Sequence, residues 1–259
     1  MKRLFCAIAV LGVGFMLTSC VYVTKQLDED RLPPPPSSCA LQETLLSVVN
    51  EPTEETLPVE TTLPVETTLP THPTIPTPPE RDDVFVRVQD YIPTIVVELK
   101  YATTDNFTGQ VIYQSNEAWL RYGTVRKLML VQETLLESGL SLKIWDGFRP
   151  PSAQFKLWEI CPDPTYVANP NNGFSSHSRG NTVDITVVDS CGVELEMPTG
   201  FDDFSKLADR DYADCTQVAA KNAGMLENLM KDCGFKPYFG EWWHFTDTDT
   251  YEVEMEFVP

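Results

Sequence analysis

The sequence predicts an α+β fold for the part of the chain that begins near Asp83. Segments with helical periodicity and segments with strand-like alternation follow one another to the C-terminus, without the regular strand–helix–strand order of a parallel sheet. The clearest strand runs from Thr182 to Val188, where apolar residues alternate with a face that carries Asp184 and two threonines. These patterns together indicate an α+β domain.

The first elements of this domain are two short strands and a long helix. Runs of residues that favour strands lie at 84–88 and 96–99. Thr124 is a candidate N-cap for the helix, whose apolar residues recur at intervals of three and four, and Gly139 is its expected end. We therefore expect this helix to turn one apolar face inward.

The later elements alternate between strands and helices. A strand is predicted at 140–145, followed by a turn rich in glycine and proline and a short helix through Trp158. Asp214 and Gln217 have the spacing of a capping box at the start of a second long helix, which Gly234 would end. Three short strands are predicted to close the chain, near residues 235–239, 242–246 and 253–257.

The overall charge of the chain excludes one class of partner. The chain has 259 residues, of which 42% are hydrophobic, and a formal net charge of −19. Its length allows one good core without requiring every residue to join it. Nucleic acid needs a basic surface, so we expect no nucleic-acid partner. A small zwitterionic substrate stays possible, because one pocket need not share the sign of the whole surface.

The N-terminus has the composition of an export signal. Lys2 and Arg3 precede an apolar run at 4–17 that is short for a membrane span. The run ends in Leu-Thr-Ser-Cys, which resembles the lipobox of bacterial lipoproteins. On this interpretation residues 1–19 are a signal peptide and Cys20 is lipidated, which anchors the protein to a membrane outside the cytoplasm. An uncleaved signal anchor is the alternative.

Residues 20–82 form the lipidated N-terminus and a predicted stalk. Four consecutive prolines occupy 33–36, and a Glu-Thr-Thr-Leu-Pro-Val near-repeat runs from 55 to 70. Proline at every sixth residue removes amide donors and blocks helix formation, so we expect a disordered, extended spacer. The folded domain is therefore assigned to residues 83–259.

Two of the three histidines lie in contexts that suggest a catalytic zinc site. His177 precedes Asp184 by seven residues, and His244 follows Glu241 by three. Imidazole and carboxylate are zinc ligands, and a catalytic zinc takes three protein ligands and keeps one open position. His177, Asp184 and His244 would supply the ligands, and Glu241 would handle protons. A lone His–Asp pair is more often a surface hydrogen bond, but a second histidine and a glutamate in matching contexts favour the metal site.

The folded domain resembles the zinc D-alanyl-D-alanine dipeptidases, within the wider group of zinc D,D-peptidases. The resemblance extends from about Val84 to the C-terminus. Five blocks carry it in order: 100–109, 145–150, 175–180 with Asp184, 197–202 and 241–244. The resemblance implies a single compact domain with a central, mostly antiparallel sheet and flanking helices. It also implies one zinc ion per chain, with Glu241 as the general base and Arg149 facing the oxyanion of the tetrahedral intermediate.

The resemblance further implies a pocket for the free ammonium group of a small D,D-dipeptide. Tyr101, Ser175 and Asp202 are the matching residues in this sequence. The alignment that selects Asp202 needs a gap of one residue, so Asp203 is an alternative. A buried carboxylate that binds an ammonium group would reject acylated amines, because it would be left without a partner.

The function expected from these features is hydrolysis of D-alanyl-D-alanine to two D-alanines by a zinc-activated water, outside the cytoplasm. Scavenging or turnover of cell-wall dipeptides is the expected role, since an exported enzyme cannot empty a cytoplasmic dipeptide pool. The alternatives are a zinc D,D-carboxypeptidase that acts on peptidoglycan stems, and a non-catalytic, zinc-bearing lipoprotein that binds the wall.

The cysteines of the folded domain leave two possibilities open. In an exported protein four cysteines could form two disulfides in three ways, and buried free thiols are the alternative. The residues concerned are Cys161, Cys191, Cys215 and Cys233.

Overall fold

The computed structural model describes residues 75–259. The predicted signal peptide, the Cys20 anchor and most of the predicted stalk lie outside the described residues. Within 75–259, no helix combines the length and the apolar character needed to cross a membrane.

The described part of the chain contains strands and helices in an irregular order, which confirms the α+β fold. The strands are β1 (Phe85–Arg87), β2 (Val96–Val97), β3 (Trp119–Arg121), β4 (Ser141–Asp146), β5 (Thr182–Val188), β6 (Phe235–Pro237) and β7 (His244–Asp247). The helices are α1 (Val88–Tyr91), α2 (Tyr122–Leu136), α3 (Pro151–Ile160) and α4 (Gln217–Asp232). Short 3₁₀ helices occupy Lys100–Ala102, Ser176–Arg179 and Lys206–Ala208.

A five-stranded sheet is the centre of the domain, in the order β2–β4–β5–β7–β6. The pairs β4–β5, β5–β7 and β6–β7 are antiparallel, and only the edge pair β2–β4 is parallel. The sheet is therefore mixed but mostly antiparallel, as expected. All seven residues of β5 are buried. This strand holds Asp184 in the middle of the protein, where a polar side chain needs a partner.

A one-residue irregularity in β4 lies beside Asp184. Ile144 pairs with Ile185, but the next pair joins Asp146 to Asp184, so β4 has one more residue than β5 at this point. Such a bulge redirects the side chains that follow it. Because of it, Asp146 instead of Trp145 lies opposite Asp184.

The predicted N-cap of α2 is wrong. The helix begins at Tyr122, and Thr124 lies inside its first turn, where it is fully buried. The Thr124 hydroxyl donates a hydrogen bond of 2.8 Å to Asp247 on β7. The Thr124 hydroxyl therefore bonds a residue on a distant strand and does not cap the helix. The expected end is close to the observed one, since the helix stops at Leu136 and Gly139 has φ +69°.

The predicted N-cap of α4 is also wrong. The helix begins at Gln217, and the hydroxyl of Thr216 accepts a hydrogen bond from the Ala219 amide. Asp214 lies two residues too early to reach these amides. The helix ends near Gly234, whose φ of +90° fits the predicted stop.

One further expectation is corrected at the chain end, and the cysteines match one of the two alternatives left open by the sequence. Residues 253–257 form no strand. Instead, the Glu254 amide donates to the Ser178 carbonyl at 2.9 Å, and Phe257 stacks on Phe85 at 4.6 Å between ring centroids. The segment is held by individual contacts with a 3₁₀ helix and an aromatic cluster, so no strand edge pairs with it. Cys161, Cys215 and Cys233 are free thiols, which is the alternative to the disulfide hypothesis.

Candidate metal centre

His177 is presented to the site by a short 3₁₀ helix. The Ser175 hydroxyl accepts a hydrogen bond from the His177 amide at the start of this helix, and Gly180, with φ +74°, ends it. The ring is almost fully buried, at 2% exposure. Its Nδ1 lies 2.9 Å from the Gly147 carbonyl. Because a carbonyl can only accept, Nδ1 carries the proton and Nε2 is free to bind a metal.

Asp184 and His244 are opposite one another on neighbouring strands. Their backbones pair directly in the β5–β7 register, so both side chains leave the same face of the sheet. The Asp184 carboxylate lies 3.3 Å from Nε2 of His177 and 3.0 Å from Nδ1 of His244. The two imidazole nitrogens are 3.4 Å apart. These three ligand atoms therefore converge on one point.

The donor set fits a zinc ion. Two imidazole nitrogens and one carboxylate oxygen, all within 4.8 Å of one another, are a usual catalytic zinc set. Oδ1 of Asp184 is buried and makes no hydrogen bond with any described residue, although His244 lies close to it. A buried oxygen without a hydrogen bond is costly, and a cation at this point would satisfy it.

The electrostatics of the cluster also favour a cation. Burial alone would raise the pKa of Asp184, but the adjacent imidazoles of His177 and His244 hold it well below its usual range. Burial alone would lower the pKa of His177, whereas Asp184 and Asp146 raise it above its ordinary value. The carboxylates therefore attract positive charge to this point, either as protons or as a metal ion.

Glu241 lies at the edge of the cluster, in the loop that leads into β7. Its carboxylate is 3.4 Å from Nδ1 of His244. Burial raises the pKa of Glu241, although His244 and His177 act in the opposite direction. The flanking Trp242 and Trp243 are fully buried core residues.

Arg149 follows β4 and is held by two neighbours. Its Nε and Nη2 donate to the Asp146 carboxylate at 3.2 and 2.7 Å, and its Nη1 donates to Gln154 at 3.1 Å. The guanidinium carbon lies 5.1 Å from the centre of the Tyr101 ring. The cation is 9% exposed and is therefore largely shielded from water.

Tyr101 and Asp202 form a second polar group in the same pocket. The Tyr101 hydroxyl donates a hydrogen bond of 2.7 Å to the Asp202 carboxylate. Burial raises the pKa of Asp202 to about 8, despite the bond from Tyr101. Asp203 has a different environment, because its carboxylate accepts from the Ser205 amide at 2.8 Å. It is Asp202 that lines the pocket.

One cavity of about 320 Å³ contains every site residue that the sequence suggested. The segment at 164–168 and the ring of Phe174 form one of its walls. The predicted residues on its surface are Tyr101, Arg149, Ser175, His177, Asp184, Asp202, Glu241 and His244.

Comparison with known proteins places the chain in a family. The sequence profile of the peptidase M15 family, described as D-ala-D-ala dipeptidase, matches residues 81–258. The chain belongs to this family. It is therefore a metallopeptidase.

Several curated members of the family are similar to this chain. A D-alanyl-D-alanine dipeptidase of Escherichia coli K12 is 39% identical over 153 residues, which cover 59% of this chain and 79% of the relative. One from Streptomyces coelicolor is 33% identical over 182 residues, which cover 62% of this chain and 90% of the relative. One from Enterococcus faecium is 29% identical over 185 residues, covering 64% and 92%.

Two solved structures of D,D-peptidases also align with the chain. VanYB in complex with D-alanine-D-alanine is 18% identical, with a TM-score of 0.34, and covers 56% of this chain and 77% of its own. A VanY D,D-pentapeptidase in complex with Zn(II) is 16% identical, with a TM-score of 0.35, and covers 53% and 77%.

The structure adds residues to the dipeptidase site that sequence reasoning missed. Asp146 is fully buried and bonds Arg149, the Tyr113 hydroxyl at 2.6 Å and the Gly147 amide at 2.8 Å. Gln154, the other partner of Arg149, is also fully buried. Asp146 does belong to a block that resembles the family, but its position opposite Asp184 depends on the β4 bulge, which no sequence pattern reveals.

Proposed function

We propose that this dipeptidase family member hydrolyses D-alanyl-D-alanine, with a zinc ion held by His177, Asp184 and His244. The observation that supports the proposal is that the Tyr101–Asp202 pair lies in the same cavity as the three ligands. An ammonium site and a metal site in one small cavity suit a short substrate with a free amine. When bound, zinc would lower the pKa of a water molecule and polarise the peptide carbonyl.

Glu241 is the proposed proton carrier. Its carboxylate lies beside the ligand cluster, 3.4 Å from Nδ1 of His244. Burial raises the pKa of Glu241 and so brings this pKa closer to neutral pH. A group with such a pKa can take a proton from the attacking water and give it to the departing amine.

Arg149 is the proposed stabiliser of the oxyanion. Asp146 and Gln154 use three of its five N–H groups, so two N–H groups remain for a ligand. The cation is fixed before the substrate arrives and is shielded from water. Such a donor can contribute roughly 3 kcal/mol to stabilising the transition state.

Asp202 is the proposed partner of the substrate ammonium, with Tyr101 and Ser175 beside it. Burial raises the pKa of Tyr101 well above its ordinary value, so its hydroxyl keeps the proton. This hydroxyl donates a hydrogen bond to the Asp202 carboxylate and thereby orients it. An acylated amine carries no positive charge, so it cannot make the charge-assisted contact with Asp202 and would be bound poorly.

The proposed location is the outer face of a bacterial membrane, where lipidated Cys20 anchors the chain and residues 20–82 separate it from the bilayer. The export signal predicted from residues 1–20 supports this part of the proposal. In that location the substrate would be D-Ala-D-Ala released from the cell wall, and scavenging or turnover would be the physiological role.

The test compares two substrates. The zinc-loaded full chain should release D-alanine from D-Ala-D-Ala and leave N-acetyl-D-Ala-D-Ala nearly untouched. Preference for the acetylated compound would replace the proposal with a D,D-carboxypeptidase. Binding of wall fragments without cleavage of either compound would favour a non-catalytic binding protein.

A further inference from the structure

Gln154 joins Arg149 to the wall of the cavity. It lies on α3, is fully buried, and uses both ends of its amide. Its Oε1 accepts the hydrogen bond from Nη1 of Arg149 at 3.1 Å, and its Nε2 donates to the Ala168 carbonyl at 2.7 Å. Ala168 belongs to the 164–168 segment that lines the cavity. One side chain therefore connects the proposed oxyanion donor to the cavity wall.

The two partners of Arg149 bind different parts of its guanidinium. Asp146 takes Nε and Nη2, and Gln154 takes Nη1. With Asp146 alone, the planar group could still tilt about the side that the carboxylate holds. The bond from Nη1 to Gln154 removes this freedom. Catalysis by a fixed donor is sensitive to such tilts, because a displacement of about 1 Å can cost about 100-fold in rate.

We propose that Gln154 is a positioning residue, which fixes the orientation in which Arg149 presents its free N–H groups to the developing oxyanion. This inference rests on the proposed role of Arg149. Gln154 does not line the cavity, so it acts through Arg149 and not on the substrate.

A second buried glutamine provides a matched control. Gln132 on α2 is 1% exposed and also uses both amide ends. It accepts from the Leu142 amide at 2.9 Å and donates to the hydroxyls of Thr94 and Ser141. None of these partners lines the cavity. Gln132→Met therefore reports what the loss of a buried, fully bonded glutamine does to the fold alone.

The experiment uses zinc-loaded full chains with Gln154→Met, Gln154→Glu and Gln132→Met. Methionine has a similar length and makes neither hydrogen bond. Glutamate keeps the acceptor for Arg149 and loses the donor for Ala168. We expect Gln154→Met to lower kcat on D-Ala-D-Ala about 10- to 100-fold with KM nearly unchanged, because the lost interaction acts in the transition state. Gln154→Glu should recover most of that loss, and Gln132→Met should leave kcat unchanged.

A double-mutant cycle with Arg149→Lys tests whether Gln154 acts through the guanidinium. Lysine cannot make the same bonds, so Gln154→Met should cost much less in that background than in the wild type. Equal losses in both backgrounds would overturn the proposal. Equal losses for the methionine and glutamate variants would also overturn it, since the role would then be to hold the cavity wall.

A crystal structure of Gln154→Met separates this inference from the proposed function. The Arg149 guanidinium should be rotated or disordered there, whatever substrate the enzyme uses. An unchanged guanidinium overturns the positioning role. A wild-type enzyme that ignores D-Ala-D-Ala while the guanidinium moves in the variant would overturn the proposed substrate alone.

Discussion

The two ring nitrogens of His177 face different partners, and a backbone carbonyl determines which nitrogen carries the proton. The Gly147 carbonyl, 2.9 Å from Nδ1, fixes the tautomer and aims Nε2 at Asp184 and His244. Glu241 lies beside these ligands without an equivalent anchor. We therefore expect His177, Asp184 and His244 to bind the metal and Glu241 to carry protons.

Metal content checks this separation. His177→Ala, Asp184→Ala and His244→Ala should each lose the zinc, because a three-ligand site that is reduced to two ligands binds metal weakly. Glu241→Ala should keep one zinc per chain and lose activity. Elemental analysis of the purified variants measures both. Full zinc in any of the first three would remove that residue from the ligand set.

The choice between Asp202 and Asp203 can be tested by asparagine substitution. Asp202 has φ +54°, a left-handed conformation that asparagine adopts more readily than alanine. Asp202→Asn should lower kcat/KM for D-Ala-D-Ala by about 30-fold or more, because a buried charge-assisted contact is lost. Asp203→Asn should have a small effect, since this carboxylate bonds the Ser205 amide. The reverse ranking would make Asp203 the ammonium partner.

The pH dependence of binding follows from the pKa of Asp202. Burial raises that pKa to about 8, so at pH 7 the unliganded group holds a proton that it must release to bind an ammonium group. Binding of D-Ala-D-Ala to the zinc-loaded Glu241→Ala variant should therefore release protons at pH 7 and fewer at higher pH. Calorimetry in two buffers of different ionisation enthalpy counts the protons. No release at pH 7 would contradict the assignment.

The same raised pKa makes the stability of the folded chain fall as the pH rises. The folded chain binds this proton more tightly than the unfolded chain, so Asp202 lowers stability as the pH rises from the ordinary carboxyl range to about 8. Asp202→Asn should therefore melt no lower than wild type at pH 8. A loss of activity with an unchanged or higher Tm would exclude misfolding as the cause.

At the level of elements, the residue that caps α4 differs from the one that the sequence pattern predicts. Thr216 caps the helix through the Ala219 amide, while Asp214 precedes the helix by two further residues. Thr216→Ala should destabilise the protein by about 1 kcal/mol, the usual cost of a lost cap. Asp214→Ala should change stability by less than about 0.5 kcal/mol. Denaturant unfolding of both variants decides between them, and the reverse order would restore the capping-box prediction.

For the whole molecule, the proposed membrane anchor depends on a single thiol, that of Cys20. Cys20→Ser should release the protein from membranes or block its maturation, since the proposed lipid is attached to that thiol. Fractionation of cells that express both forms measures this. A wild-type protein found in the cytoplasm with residues 1–19 intact would contradict both the export prediction and the proposed role in wall turnover.

The sequence by itself predicted the α+β class, the central strand β5 and eight candidate site residues. His177, Asp184, His244 and Glu241 were suggested by short blocks of metal-binding residues, and the other four by the resemblance to a family, with Asp203 left as an alternative to Asp202. Tertiary structure alone decided the rest. Thr124 became a partner of Asp247, the bulge in β4 placed Asp146 opposite Asp184, and Gln154 met Arg149. These outcomes depend on how separate elements pack against one another. The spacing of residues within one element does not predict its contacts with distant parts of the chain.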